Sequence, residues 1–574
     1  MDLAAVDASL IRLDLNWVDY LILFIYFAMI VWIGYTIHRQ QKSSQDFLLA
    51  GRSMPAWIAG LAFCAANLGA TEILGMAANG AQIGMSTIHY YLAGAIPGMI
   101  FLGIIMMPFY YGSGVRSVPE FMERRFGKSA HLIVSLCFAV STILQAGINL
   151  FAMALILQAM LGWNQWTAII VSAVFVLAYI ILGGLTSAIY NEVMQFFVII
   201  AALIPVTVIG LKNVGGWSGL QAHFAGTDMM HAFQGTGIGN VTNPVGANWF
   251  GIVMGLGFVL GFGYWTTNFT EVQRAFAAKD MRNARMTPII GAIPKMFIWG
   301  VVVIPGLIAA ATVGNLFAEG KLQYNEAIPK LFQLYLPNGV LGVAVTGMMA
   351  AFMAGMAASV SSFNTVVTYD IVQDYVKPGQ KDRFYLNLGR LVTVAGVVIS
   401  VGTAWLASMF GNIMTYLQTL ASFFNAPLFS IFLLGMVWKR LTPKAGTWAY
   451  LIGIAAPLIT YIVYLNNPTI FGSATAETMY GAIISFVATW VAGFAISMFT
   501  KPKTDEQLEG LTFATGGMKY FRTAGQQARV EAKAAAKDLL APNALAGRNP
   551  WFKSPLVVGL IVLALSVAMY VPFF

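Results

Sequence analysis

The chain has 574 residues, of which 58% are hydrophobic and only 10% charged. Soluble globular domains carry about 25% charged residues, so the composition excludes a soluble protein, and the long apolar runs exclude a β-barrel, whose strands would read as short alternating segments. The net charge of +9 is spread over several loops, which argues against a nucleic-acid footprint, while two cysteines in apolar runs (Cys64, Cys137) and five scattered histidines supply no disulfide or metal framework.

A bilayer core about 30 Å thick requires roughly 20 apolar residues per helix. The runs supply fourteen candidates, at 18–37, 55–75, 82–111, 130–160, 163–183, 191–212, 247–268, 287–314, 337–375, 384–409, 412–438, 445–465, 477–499 and 554–573. Ahead of the first, "MDLAAVDASLIRLDLNW" is acidic and lacks the pattern of a cleavable signal. Within the second, "CAANLGATEILG" (64–75) puts Asn67, Gly69, Thr71 and Glu72 at membrane depth, where an ionised carboxylate costs about 3 kcal/mol or more. The connection 213–246 is rich in Gly, Asn and Thr and predicts a partly ordered cap. In the seventh span, the glycines of "GLGFVLGFG" (255–263) read as close helix packing, because no strand precedes them to make a phosphate loop. "GFGYWTTNF" (261–269) then interrupts that span near 263. In the eighth, Lys295 is a second buried charge, either a snorkelling side chain or a cation lining a cavity and facing Glu72. The ninth carries "AAFMAGMAASVSSFNT" (350–365), a third interruption, and the eleventh carries "YLQTLASFFNAP" (416–427), with Gln418 and Asn425 in a run ended by Pro427. Between the last two spans, "QQARVEAKAAAKDLLA" (526–541) predicts a short cytoplasmic helix within a linker.

Positive charge orients these spans. With the loop after the first span taken as cytoplasmic, the inner loops hold 26 of the 32 Lys and Arg, among them Arg124, Arg125, Arg274 and Arg282. The outer loops hold Arg12, Lys212, Lys321 and Lys330. Both termini are therefore expected outside, in a multi-pass cell-membrane protein.

Irregular backbone is tolerated at membrane depth only when it is buried in protein or lines a wet cavity, where freed carbonyls and half-helix ends can bind ions and solutes. The breaks near 69 and 263 lie five spans apart, so their helices run in opposite directions, as in two five-helix repeats related by an in-plane pseudo-twofold. Glu72, Lys295 and Gln418, with the aromatics Tyr90, Tyr91, Tyr264 and Trp265, are the polar and aromatic groups that a polar organic solute requires. Each alone also suits ordinary packing.

Seven stretches carry a resemblance, in order from about 47 to 440: "DFLLAGRSMPAW", "CAANLGATEILGM", "SVPEFMERRFG", "GGLTSAIYNEVMQ", "YWTTNFTEVQRAFAAKD", "NTVVTYDIVQDY" and "FLLGMVWKR". The chain resembles the sodium/solute symporter family, in its sodium–glucose cotransporter branch. The resemblance implies an all-α polytopic protein of about 14 transmembrane helices with a five-plus-five inverted-repeat (LeuT-type) core in spans two to eleven. The organisation expected is an N-terminal helix and loop (1–54), the transport core (55–438), peripheral helices (439–499), a cytoplasmic loop (500–553) and a C-terminal helix (554–574).

The resemblance also implies site residues. For the solute it matches Asn67, Tyr90, Tyr264, Lys295 and Gln418, while Glu72 stands for a Gln, Tyr91 for a carboxylate, and Gly94 and Gly261 for a hydroxyl and an Asn. For the gates it matches Met76, Tyr90 and Met414 outside and Tyr264 inside. For Na⁺ it implies backbone carbonyls of Ala65, Leu68 and Ala351, with Glu192 on the cation exit path. The two hydroxyls expected beside that site are Ala354 and Gly355 here, which leaves three repairs: Ser359, Ser361 or Ser362 along the same helix, water, or a proton carried by Glu72 instead.

The expected function is secondary active transport: cation-coupled symport, with Na⁺ as coupling ion and no other cofactor, of a small polar solute such as glucose or galactose. A proton-coupled or cation-independent carrier of another solute, or a transporter-like receptor, stands as the alternative. A membrane enzyme would need a nucleophile or metal cluster in one shared site, and no such spacing occurs.

Overall fold

Leu68 is where the second apolar run stops being a helix. Its backbone (φ −73°, ψ 38°) leaves the helical region, and the next residue is a glycine against which two other helices close. A Cβ on Gly69 would lie 2.5 Å from Asn149 Oδ1 and 3.3 Å from Gly355 Cα. In the computed structural model, which describes residues 8–38, 50–517 and 554–573, this break separates α2 (Ala56–Asn67) from α3 (Thr71–Ile88), with a bend of 59°. The predicted helix at 526–541 and most of the 500–553 loop lie outside the described residues.

The described residues are almost entirely helical, with one antiparallel hairpin, Thr236–Gly237 with Asn240–Val241, in the 213–246 connection. Among the described residues ten helices are long and apolar enough to cross a membrane, or twelve if each bent pair counts as one span. Two shorter apolar helices, α1 (Trp17–Ile33) and Gln165–Ala178, fall at the predicted first and fifth spans. The elements that build the site are α4 (Tyr90–Gly112), α5 (Lys128–Leu161), α6 (Leu185–Asn213), α7 (Gly251–Thr267), α8 (Phe269–Phe276), α9 (Met281–Ala318), α10 (Val340–Val376) and α11 (Ile413–Val437). Large apolar side chains stay exposed on peripheral helices, Phe24 at 71% and Trp448 at 58%, as a lipid-facing surface requires.

Three boundaries differ from expectation. The third span starts at Tyr90 rather than 82, because Gly84, at φ 62°, ends the α-helical part of α3 and a 3₁₀ stretch over Gly84–Ile88 completes that element. The seventh breaks at Asn268 rather than near 263. Its glycines instead let α7 approach its neighbours, with a Gly261 Cβ only 2.6 Å from Gly94 Cα. Asn268 turns the chain and caps the next helix by accepting the Thr270 N–H at 3.1 Å, which bends α7 against α8 by 50°. The ninth and eleventh runs are not interrupted: α10 is helical through 350–365, and α11 continues past Pro427. Proline removes one backbone donor, and burial among packed helices tolerates that loss.

The termini attach to connections expected on the outer side. Lys330 Nζ donates to Leu10 O at 2.7 Å, and Ala232 N–H donates to Phe573 O at 2.9 Å. On the opposite side, Met54 N–H donates to Ala277 O and Lys279 N–H to Met54 O, both at 3.0 Å. Two arginines counted as loop charges, Arg125 and Arg274, are instead buried. Arg125 donates to the carbonyls of Gly435, Leu441 and Trp438, where loop and helix ends dock.

The 319–339 connection carries a titration. Glu326 is buried, with Oε2 accepting the Gln323 N–H at 2.7 Å. Burial pushes its carboxyl up to about 7, against the partial opposition of that hydrogen bond. Folding thus favours the protonated acid, so this group's contribution to stability is kept below about pH 4.5 and lost as pH rises to about 7. In detergent the melting temperature should fall across that window, and Glu326→Gln should remove that part of the fall.

Candidate functional site

The helix breaks open a cavity of about 470 Å³ between α2–α3, α4, α7, α9 and α11. Its wall is wound loosely. Residues 71–75, 90–95 and 251–262 are π-helical, a winding often found at functional sites, and all three segments line the cavity.

Lys295 comes from α9, and its side chain is 2% exposed. Its Nζ lies 2.7 Å from Glu72 Oε2 and also donates to Asn67 Oδ1. The rings of Tyr91 and Trp265 flank it at 5.3 and 5.5 Å. An ammonium has three donors, so the two acceptors leave one N–H for a guest. A buried ion pair holds only when further hydrogen bonds and close geometry offset desolvation, and Asn67 and the aromatic faces supply them. Lys295 is therefore not a snorkelling side chain. Asn67 also donates to Tyr264 OH at 3.3 Å, and Tyr264 donates to Glu271 Oε1 at 3.1 Å.

All the residues expected to touch solute line this one cavity: Asn67, Glu72, Tyr90, Tyr91, Tyr264, Lys295 and Gln418. So do Met76 and Met414. Gln418 makes no hydrogen bond to a described residue, so its amide is open to a guest. Trp265 also lines the cavity, as does Thr71, which was singled out only as part of the break.

The pattern of the Sodium:solute symporter family matches residues 47–453. The chain belongs to the sodium:solute symporter family. The sodium/glucose cotransporter of Vibrio parahaemolyticus is 30% identical over 483 residues, covering 80% of this chain and 88% of that one. Sodium/glucose cotransporter 1 of Oryctolagus cuniculus is 27% identical over 585 residues, covering 92% and 86%. A solved Na⁺-coupled sialic acid symporter, substrate-bound and outward-open, shares the fold with a TM-score of 0.72 at 19% identity, over 86% of this chain and all of that one. The symporter is thus a multi-pass membrane transporter and not an enzyme.

A second cavity of about 310 Å³ lies across Asn67, Thr71, Tyr264 and Leu417, which line both. Of the cation positions implied by resemblance, Gly355 lines it, but Ala65, Leu68 and Ala351 line neither cavity. Ala65 O already accepts the Leu68 N–H at 3.0 Å. At Gly355, one of the two positions where a hydroxyl was expected, Asn149 of α5 fills the space a side chain would take; its Oδ1 accepts the Ala70 N–H at 2.9 Å and abuts Gly69 as well. Glu192 is clamped by Arg274, Nε to Oε2 at 3.2 Å and Nη2 to Oε1, with both side chains buried.

Sequence reasoning did not single out Asn149 or Glu271. Asn149 is one polar residue in an apolar run. Glu271 lies beyond the expected end of the seventh span and read as loop. The available signal was "TEVQR" two residues after Asn268: four polar side chains within five residues, all buried here.

Proposed function

We propose that the chain carries out Na⁺-coupled symport of a small polar organic solute, a hexose such as glucose or galactose, by alternating access. Glu72, Lys295 and Asn67 form one hydrogen-bonded cluster. It stands beside Gln418, which has no hydrogen-bond partner among the described residues, and this single cavity supports the reading most strongly. Lys295 and Gln418 donate to solute hydroxyls, the rings of Tyr91 and Trp265 cover apolar sugar faces, and Glu72 holds the Lys295 ammonium in place. Met76, Tyr90 and Met414 form the outer gate and Tyr264 the inner one. The breaks at 68–70 and 268, five spans apart, support a five-plus-five inverted repeat in spans two to eleven of a fourteen-span chain. The lopsided loop charge supports both termini outside.

The test is uptake of labelled glucose and galactose into liposomes under an imposed Na⁺ gradient at fixed pH, and under a pH gradient without Na⁺. Accumulation should follow Na⁺. Accumulation driven by the pH gradient alone and abolished in Glu72→Gln would replace Na⁺ with a proton, a reading that the missing hydroxyls at 354–355 favour. A neutral hydrogen bond is worth about 0.5–1.5 kcal/mol. Gln418→Ala should therefore raise the half-saturating solute concentration by up to about tenfold, with the maximal rate less affected. An unchanged concentration removes Gln418 from the site.

A further inference from the structure

Glu271 is a buried carboxylate that the solute site does not account for. It lies on α8, one turn past the break at Asn268, and is 2% exposed. Its Oε1 accepts from Tyr264 OH at 3.1 Å and from Asn67 Nδ2 at 3.4 Å, while its Oε2 is buried with no partner among the described residues. The two nearby cations are committed elsewhere. Arg274, three residues on, is bound to Glu192 and to Thr270 O, and Lys295 is bound to Glu72. A carboxylate without a countercharge in a dry interior is costly.

The second cavity explains the position. No Lys, Arg or His among the described residues lines it; beside Glu271 it is walled by Gln145, Asn149, Thr270 and Ser359. Asn149 and Gln145 carry amide carbonyls, and Ser359 and Thr270 carry hydroxyls. These are hard oxygen donors, the ligand type that alkali and alkaline-earth cations take. Ser359 stands four residues beyond Gly355 on α10, hence on the same helix face one turn along.

We infer that this cavity is the coupling-cation site, with Glu271 as its anionic ligand and with Asn149, Gln145 and Ser359 as neutral oxygen donors in place of the hydroxyls missing at 354–355. The inference rests on the sodium coupling proposed above and adds a residue to it. The carboxylate that meets the cation is also the acceptor for Tyr264. With Na⁺ at Oε2, Glu271 stays ionised and compensated, and holds Tyr264 and Asn67 across the break. When the ion leaves, the uncompensated charge favours opening of the α7–α8 bend and entry of water, so Tyr264 releases the solute inward. The ion stabilises the inner-closed state through differential binding, as any coupling requires.

The experiment is a melt of purified full-length protein titrated with NaCl against choline chloride at constant ionic strength and pH, paired with Na⁺-driven uptake. A cooperative melt in choline shows that each variant is folded. Wild type should be stabilised by Na⁺. Glu271→Gln should move the half-effective Na⁺ concentration up at least tenfold and abolish Na⁺-driven accumulation, and Ser359→Ala should move it about threefold. An unchanged Na⁺ titration in Glu271→Gln overturns the site and leaves sodium coupling standing. A wild type indifferent to Na⁺ in both assays overturns sodium coupling and this site with it.

Discussion

Lys295→Ala is expected to abolish solute accumulation and to lower stability by about 3–5 kcal/mol, the usual cost of removing one partner from a buried ion pair. The cost arises from what remains. Glu72, 4% exposed, would lose the ammonium 2.7 Å away, and Asn67 would lose a donor. The double variant Lys295→Met with Glu72→Gln should recover much of the stability, because neither charge is then stranded, while transport stays lost. Thermal unfolding of the two single variants and the double variant gives the coupling between them. A Lys295→Ala protein as stable as wild type, with unchanged solute affinity, would mean the pair is neither structural nor part of the site.

The second large effect is expected at Arg274 and Glu192. Both are buried, and their two-pronged contact joins the short helix after the break, α8, to α6. Arg274 also donates to Thr270 O, so it stiffens the segment that carries Glu271. Arg274→Ala should cost about 3–5 kcal/mol and loosen the inner side of the break. Cys64, which is fully buried on α2, gives the readout. In a Cys137→Ala background, a membrane-permeant maleimide should label Cys64 slowly in the parent and several-fold faster in Arg274→Ala. Equal rates, together with an unchanged melting temperature, would show that this pair does not hold the inner half shut.

Much of the candidate site was legible because a membrane makes polarity conspicuous. Glu72, Lys295, Asn67 and Gln418 lie in apolar runs, and each demands a reason to be there. The bend at 68–70 was visible in Gly69 and its small neighbours. The bend at Asn268 was misplaced to 263, since glycine breaks a helix and also lets helices touch. Only the neighbour at Gly94 decides which role it plays. Arg125, Arg274 and Glu271 were hidden for the converse reason. Charged residues next to a span read as solvated loop until other elements fold over them.

By itself the sequence determined the class of protein, the positions of its apolar runs, the polar residues at depth and the family, because transfer into a bilayer is a property of each segment alone. The tertiary structure alone decided which polar groups meet. Lys295 reaches Glu72 across 223 residues of sequence, and Asn149 Oδ1 lies where a side chain on Gly355 would stand. Glu271 keeps one buried oxygen, Oε2, with no partner among the described residues. Such pairings depend on helix packing between segments far apart in the chain, and no local pattern encodes them.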